Sequence, residues 1–267
     1  MAPKKIILLA TLIAPFVLAG MSLQDAARSQ ARTISGVAAS AAPAALSAAP
    51  VPDAGGQITG RVAFEGTKPK LEPIDMSKDP VCEARHRQHP AYPEDGEVNA
   101  NGTLPNVFIY VKSGAAGSPS TPSAPPVILD QRGCVYHPHV LGIMVGQELR
   151  VVSSDATTHN VHPMPRQNKE WNQSQPPGAP PLTWRFTRPE VMIPVKCNQH
   201  PWMKAYIGVT SNPFYSVSGR DGTYTIRGLP PGEYTVEAWT ATFGTQEQKV
   251  SVSAGGTATA DFAFKAP

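Results

Sequence analysis

The chain has 267 residues, of which 41% are hydrophobic and 16% charged, with a formal net charge of +3. So small an imbalance gives no electrostatic case for binding nucleic acid. The 29 prolines speak against long helices, and three cysteines cannot all pair within one chain.

In chain order, Lys4 and Lys5 come first, followed by an apolar run from Ile6 to Ala19 that closes on Val17-Leu-Ala19. A basic start, an apolar stretch and small residues at its end describe a secretory leader over residues 1–19. The run is short for a membrane span. A periplasmic or secreted protein is expected, tethered to a membrane only if the leader stays attached. Loss of the leader removes two lysines and no acid, leaving a charge of about +1. Residues 20–55, with their Ala/Pro-rich stretch from Ala38 to Pro52, read as a flexible spacer with too little large apolar surface for a core.

From Gly56 onward, short alternating runs punctuated by Gly and Pro predict strands. They fall at Gln57–Phe64, Asn106–Val111, Pro126–Leu129, Ile143–Val145, Leu149–Ser153, Leu182–Phe186, Met192–Val195 and Tyr206–Val209. The Gly/Ser/Pro/Ala stretch Ser113–Pro126 reads as a loop. The best helical segment is short, at Pro80–His86. Beyond residue 211, Asp221-Gly222 signals a hairpin and Pro230-Pro-Gly232 a second turn. Strands are expected at Tyr234–Trp239, Lys249–Ser253 and within Thr257–Phe264.

The chemistry concentrates in Cys197-Asn-Gln-His200-Pro-Trp-Met203. A thiolate, an imidazole and a thioether in one turn suit copper, because soft sulfur favours Cu(I) and imidazole accepts both oxidation states. Zinc takes Cys and His, but Met is a poor zinc ligand. A second imidazole is available upstream, in Asp155-Ala-Thr-Thr-His159-Asn-Val-His162. Residues three apart on a regular strand face opposite sides, so one of these two histidines faces Cys197 and the other points away. His162 precedes Pro163 and reads as the start of a long loop. With Cys197 assigned to metal, Cys82 and Cys134 are left as a possible disulfide in an oxidising compartment. His86, His89, His137 and His139 lie near them in sequence. A second metal site there stays open, with His137 and His139 on one strand face. The chain lacks His-Cys-His, Cys-x-x-Cys-His and Gly-x-Ser-x-Gly, so it is not expected to be an enzyme.

The runs Ile143–Leu149, Val151–Asp155, His159-Asn-Val161, Val191–Cys197 with His200 and Met203, and Ala205–Val209 resemble the plastocyanin-like blue copper proteins, the cupredoxins. The resemblance implies one mononuclear copper held by His159, Cys197, His200 and Met203, with His162 as the substitute for His159. It makes Met203 the weak axial donor, and His200 the ligand nearest solvent and the electron exit. The short His-to-Met spacing resembles the copper loop of cytochrome oxidase subunit two. That loop uses two cysteines, whereas Cys197 stands alone here. The tail resembles the prealbumin-like, carboxypeptidase regulatory-like module. The expected fold is all-β, a cupredoxin-like Greek-key β-sandwich over 56–211 followed by a small prealbumin-like β-sandwich over 212–267. The expected function is that of an exported type 1 copper protein, passing single electrons to a redox protein partner. The alternatives are a copper-buffering or copper-delivery module and a metal-free envelope binding or structural protein, whose C-terminal module would bind glycans.

Overall fold

The structure, a computed structural model, describes residues 55–115 and 124–266. The expected leader, nearly all of the expected spacer and the middle of the Ser113–Pro126 loop lie outside those residues. The first elements are strand β1 (Gly56–Glu65), helix α1 (Pro80–His86) and strand β2 (Phe108–Ser113). Next come β3 (Val127–Arg132), β4 (Val135–His137), β5 (Val140–Met144), β6 (Leu149–Ser153) and β7 (His159–Pro163). They are followed by β8 (Gln173–Gln175), β9 (Leu182–Trp184), β10 (Glu190–Lys196) and β11 (Lys204–Thr210). The tail supplies β12 (Tyr215–Val217), β13 (Thr223–Leu229), β14 (Gly232–Thr240), β15 (Gly244–Val252), β16 (Thr257–Thr259) and β17 (Phe262–Lys265).

The described residues are nearly all β. One pair of sheets runs β5-β11-β10-β7-β8 and β4-β3-β6-β9. Alternation turns Leu149 and Val151 inward from the second sheet, where they meet Ile193, Val195, Ile207 and Val209 from the first in one core. Cys197 and Met203 belong to that same core. The helix α1 forms where expected. Asp79 caps it, accepting from the backbone N–H groups of Val81 and Cys82, and Pro80 occupies a first-turn position where no N–H is needed.

The second pair of sheets draws strands from both sides of the expected boundary at 211/212. Strand β1 pairs with β13, β16 and β17, and β2 pairs with β12 and β14. Ile58, Val62, Phe64, Ile109 and Val111 therefore share a core with Phe214, Ile226, Val236, Val252 and Phe262. A tail of this length is marginal for burying two sheet faces by itself. It closes its sandwich with two strands, β1 and β2, drawn from the chain before residue 114. Asp221-Gly222 is likewise not a hairpin. It turns the chain from β12 in one sheet to β13 in the other, with Gly222 at φ 78°. The tail's hairpin is instead β14–β15, closed at Thr240 and Gly244.

The two sandwiches meet along a third apolar layer of Phe108, Val140 and Met192, flanked by Tyr206, Tyr215 and Trp239. Two glycines permit the approach. Gly142 and Gly208 pair across β5 and β11. A Cβ on Gly208 would lie 2.4 Å from Phe108 Cζ, and one on Gly142 2.2 Å from Tyr215 Cε2.

Candidate metal centre

The antiparallel pair β10–β11 is closed by the segment that carries Cys197, His200 and Met203. The turn is tight, with the Met203 N–H donating to the His200 carbonyl at 2.9 Å and the Cys197 N–H to the Met203 carbonyl at 3.3 Å. Strand β7 lies beside β10 and brings His159 alongside. Asn160 fastens the two together. Its N–H donates to Cys197 Sγ at 3.4 Å, and its Oδ1 accepts from the Asn198 N–H at 2.6 Å.

His159, Cys197 and His200 each present a donor atom within 4.8 Å of the other two. The two Nδ1 atoms are 2.9 Å apart, and Cys197 Sγ is 3.6 Å from His200 Nδ1. The groups are sealed from solvent, with His159 and Met203 0% exposed, Cys197 1% and His200 4%. His200 is thus the most exposed of the four, yet it is a buried residue and its Nε2 does not face open solvent. His162 points elsewhere, towards Asn198 and Glu170.

Both imidazoles are held from behind by carboxylates, which the sequence did not indicate. His159 Nε2 lies 3.0 Å from Asp155 Oδ2, and His200 Nε2 lies 3.0 Å from Asp79 Oδ2. Nε2–H donation to a carboxylate leaves Nδ1 free for metal and makes it a better donor. Burial works against ionising each of these groups, but their contacts outweigh it. Asp155 and Cys197 raise His159 to about 9. His159 and nearby backbone N–H groups lower Cys197. The Cys82 N–H, His200 and Thr157 take Asp79 down to about 2. Both shifts favour moving the Cys197 proton towards the His159 imidazole, and a metal ion bound between the two would displace that proton. Two imidazole nitrogens and one cysteine sulfur converging in an enclosed site, with Met203 buried in the same core as Cys197, form a donor set that fits copper.

The second cluster does not assemble. Cys82 and Cys134 form a disulfide, so neither sulfur is free to ligate. His86 Nε2 faces the Gly133 carbonyl at 2.7 Å, and His139 lies between Asp95 and the Lys204 carbonyl. His137 ends β4 and His139 lies outside any strand, so the expected shared face does not exist.

Residues 199–265 match the family model of the carboxypeptidase regulatory-like domain, a match that begins inside the Cys197–Met203 turn. No curated protein matches the chain. Among solved structures, a Cu-containing nitrite reductase from Thermus scotoductus is similar at 23% identity and TM-score 0.30, over 36% of this chain and 24% of the reductase. This chain therefore spans about a quarter of that enzyme's length. A mutant of amicyanin in its Cu(I) form is similar at 19% identity and TM-score 0.29, over 37% of this chain and 97% of amicyanin. A purple cupredoxin from Nitrosopumilus maritimus is similar at 18% identity and TM-score 0.27, over 31% of this chain and 98% of its own. No described helix is long and apolar enough to cross a membrane. The chain is an all-β protein whose residues 199–265 match the carboxypeptidase regulatory-like domain and whose structural neighbours include cupredoxins.

Proposed function

We propose that the protein is an exported mononuclear type 1 copper protein that carries single electrons. The supporting observation is the convergence of His159 Nδ1, His200 Nδ1 and Cys197 Sγ in a buried site. Bound copper would supply a one-electron couple. The chain would do the rest. His159, His200 and Cys197 would hold the ion, with Met203 as a fourth, weaker donor. The β7–β10–β11 scaffold would keep these side chains in place in both oxidation states, so that little moves on electron transfer. Trp202, whose ring centroid lies 5.1 Å from that of His200, would exclude water from one side.

One observation favours a second reading, in which the protein buffers or delivers copper. Asp79 covers the Nε2 edge of His200, which was the expected electron exit. Electron self-exchange of the copper-loaded protein separates the two. A carrier exchanges fast and takes up one copper per chain. Slow exchange with tight binding would favour buffering, and failure to take up stoichiometric copper would remove both readings.

A further inference from the structure

The Cys82–Cys134 disulfide sits behind the candidate centre, and each half is tied to a different imidazole. On the helix side, the Cys82 N–H donates to Asp79 Oδ1 at 3.1 Å, while Asp79 Oδ2 takes the His200 Nε2–H at 3.0 Å and the Thr157 hydroxyl at 2.9 Å. On the loop side, the Cys134 N–H donates to Asp155 Oδ2 at 2.7 Å, and the same oxygen takes the His159 Nε2–H at 3.0 Å. Both cysteines are 0% exposed. Cys82 Sγ also lies within 4.8 Å of donor atoms of Asp79 and His200, and Cys134 Sγ within 4.8 Å of those of Asp155 and His159. Cys134 adopts φ 57°, a left-handed conformation that costs free energy for a residue with a Cβ. Such a conformation persists where its surroundings over-determine it. Here the bridge, Asp155 and the Trp202 indole N–H, which donates to the Cys134 carbonyl at 3.0 Å, do so.

We infer that the disulfide is a positioning strut for the centre. It holds Asp79 and Asp155 in place, and through them it keeps both imidazoles turned with Nδ1 towards Cys197 before any metal arrives. Neither Asp79 nor Asp155 touches the metal in this scheme; both are positioning residues. The inference rests on the copper reading for its consequence, a tightened metal affinity, but its structural core is a property of the metal-free protein. Loss of either carboxylate or of the bridge should free the imidazoles to rotate. Outer carboxylate partners of ligating histidines typically govern ten- to a hundredfold in metal affinity.

The test uses the full chain, metal-free and ¹⁵N-labelled, with long-range ¹H–¹⁵N spectra of the imidazoles, and Cu(I) competition against a chromophoric chelator. In the unaltered protein, His159 and His200 should each show a persistent protonated Nε2. In the Cys82→Ser/Cys134→Ser double variant, that signature should give way to tautomer averaging, and Cu(I) affinity should fall at least tenfold. Asp79→Ala should do the same at His200 alone. Asp79→Asn keeps an acceptor and should recover part of the loss. A folded double variant with unaltered imidazole spectra and Cu(I) affinity would overturn the strut. Should the double variant fail to fold, Asp79→Ala and Asp155→Ala leave the bridge intact, and unchanged imidazole spectra in both would equally overturn it. If the unaltered protein binds no Cu(I), the copper reading fails while the imidazole spectra still decide this inference.

Discussion

A chain ending at Ser211 should not fold β1 and β2 into a sandwich, although the tail begins after the last candidate ligand. Removing residues 212–267 takes β13, β16 and β17 from β1, and β12 and β14 from β2. It strips the opposite side of the core from Ile58, Val62, Phe64, Leu104, Val107, Ile109 and Val111. Each such side chain gains about 1.5–3 kcal/mol from burial, so the exposed set forfeits on the order of 10–20 kcal/mol. That equals or exceeds the roughly 5–15 kcal/mol net stability of a whole domain. The Trp239 indole, centred 5.0 Å from the Tyr206 ring, also leaves the layer between the sandwiches. The assay is methyl NMR dispersion with a urea melt, with and without copper. Loss of the dispersed methyl signals of Ile58, Ile109 and Val111 and a smaller urea transition are expected. A truncated chain that keeps the dispersed methyl signals of Ile58, Ile109 and Val111 would refute the shared-sandwich reasoning and restore the tail as an independent module.

Gly208→Ala should destabilise the protein by about 1–3 kcal/mol through overpacking, since the added Cβ meets the Phe108 ring; the urea midpoint reads the loss, and adding Phe108→Leu should recover part of it. Asp79 is held at about 2, below its ordinary 3.8, so its contribution to stability is present above about pH 4 and disappears as pH falls through 2. The stability difference between the protein and Asp79→Asn should therefore shrink over that window, and a difference that grows towards acid would contradict the assignment. His159→Ala should abolish tight Cu(I) binding, while His162→Ala should leave it within about twofold, because His162 is directed at Asn198 and Glu170.

What was legible in the sequence was local. Asp79 followed by Pro80 marks a helix start within three residues, and Leu149–Ser153 alternates within five. The ligand turn was readable because Cys197, His200 and Met203 all lie in one loop. Strand parity, a local rule, said that one of His159 and His162 faces Cys197, and the His-Asn-Val resemblance together with Pro163 after His162 favoured His159. The non-local pairings carried no such mark. Nothing in Gly56–Glu65 says that its partners lie at the other end of the chain, because any half-buried strand has the same alternation. Asp79 is 121 residues from His200, and an Asp at a helix N-cap needs no further role to be explained. The short strand β8 was missed because Gln173-Ser-Gln175 lacks β-branched residues; its Gln175 is buried by a hydrogen bond to Gln131.

The central claim is that Cys197, His159 and His200 hold one copper ion. The most direct measurement is the visible absorption spectrum of the copper-loaded full chain, taken beside that of Cys197→Ser. A thiolate bonded to Cu(II) gives an intense visible band, and serine cannot replace it. An intense band in the unaltered protein and none in the folded serine variant is the predicted result. Equal spectra from the two, or no visible band in either, would contradict it.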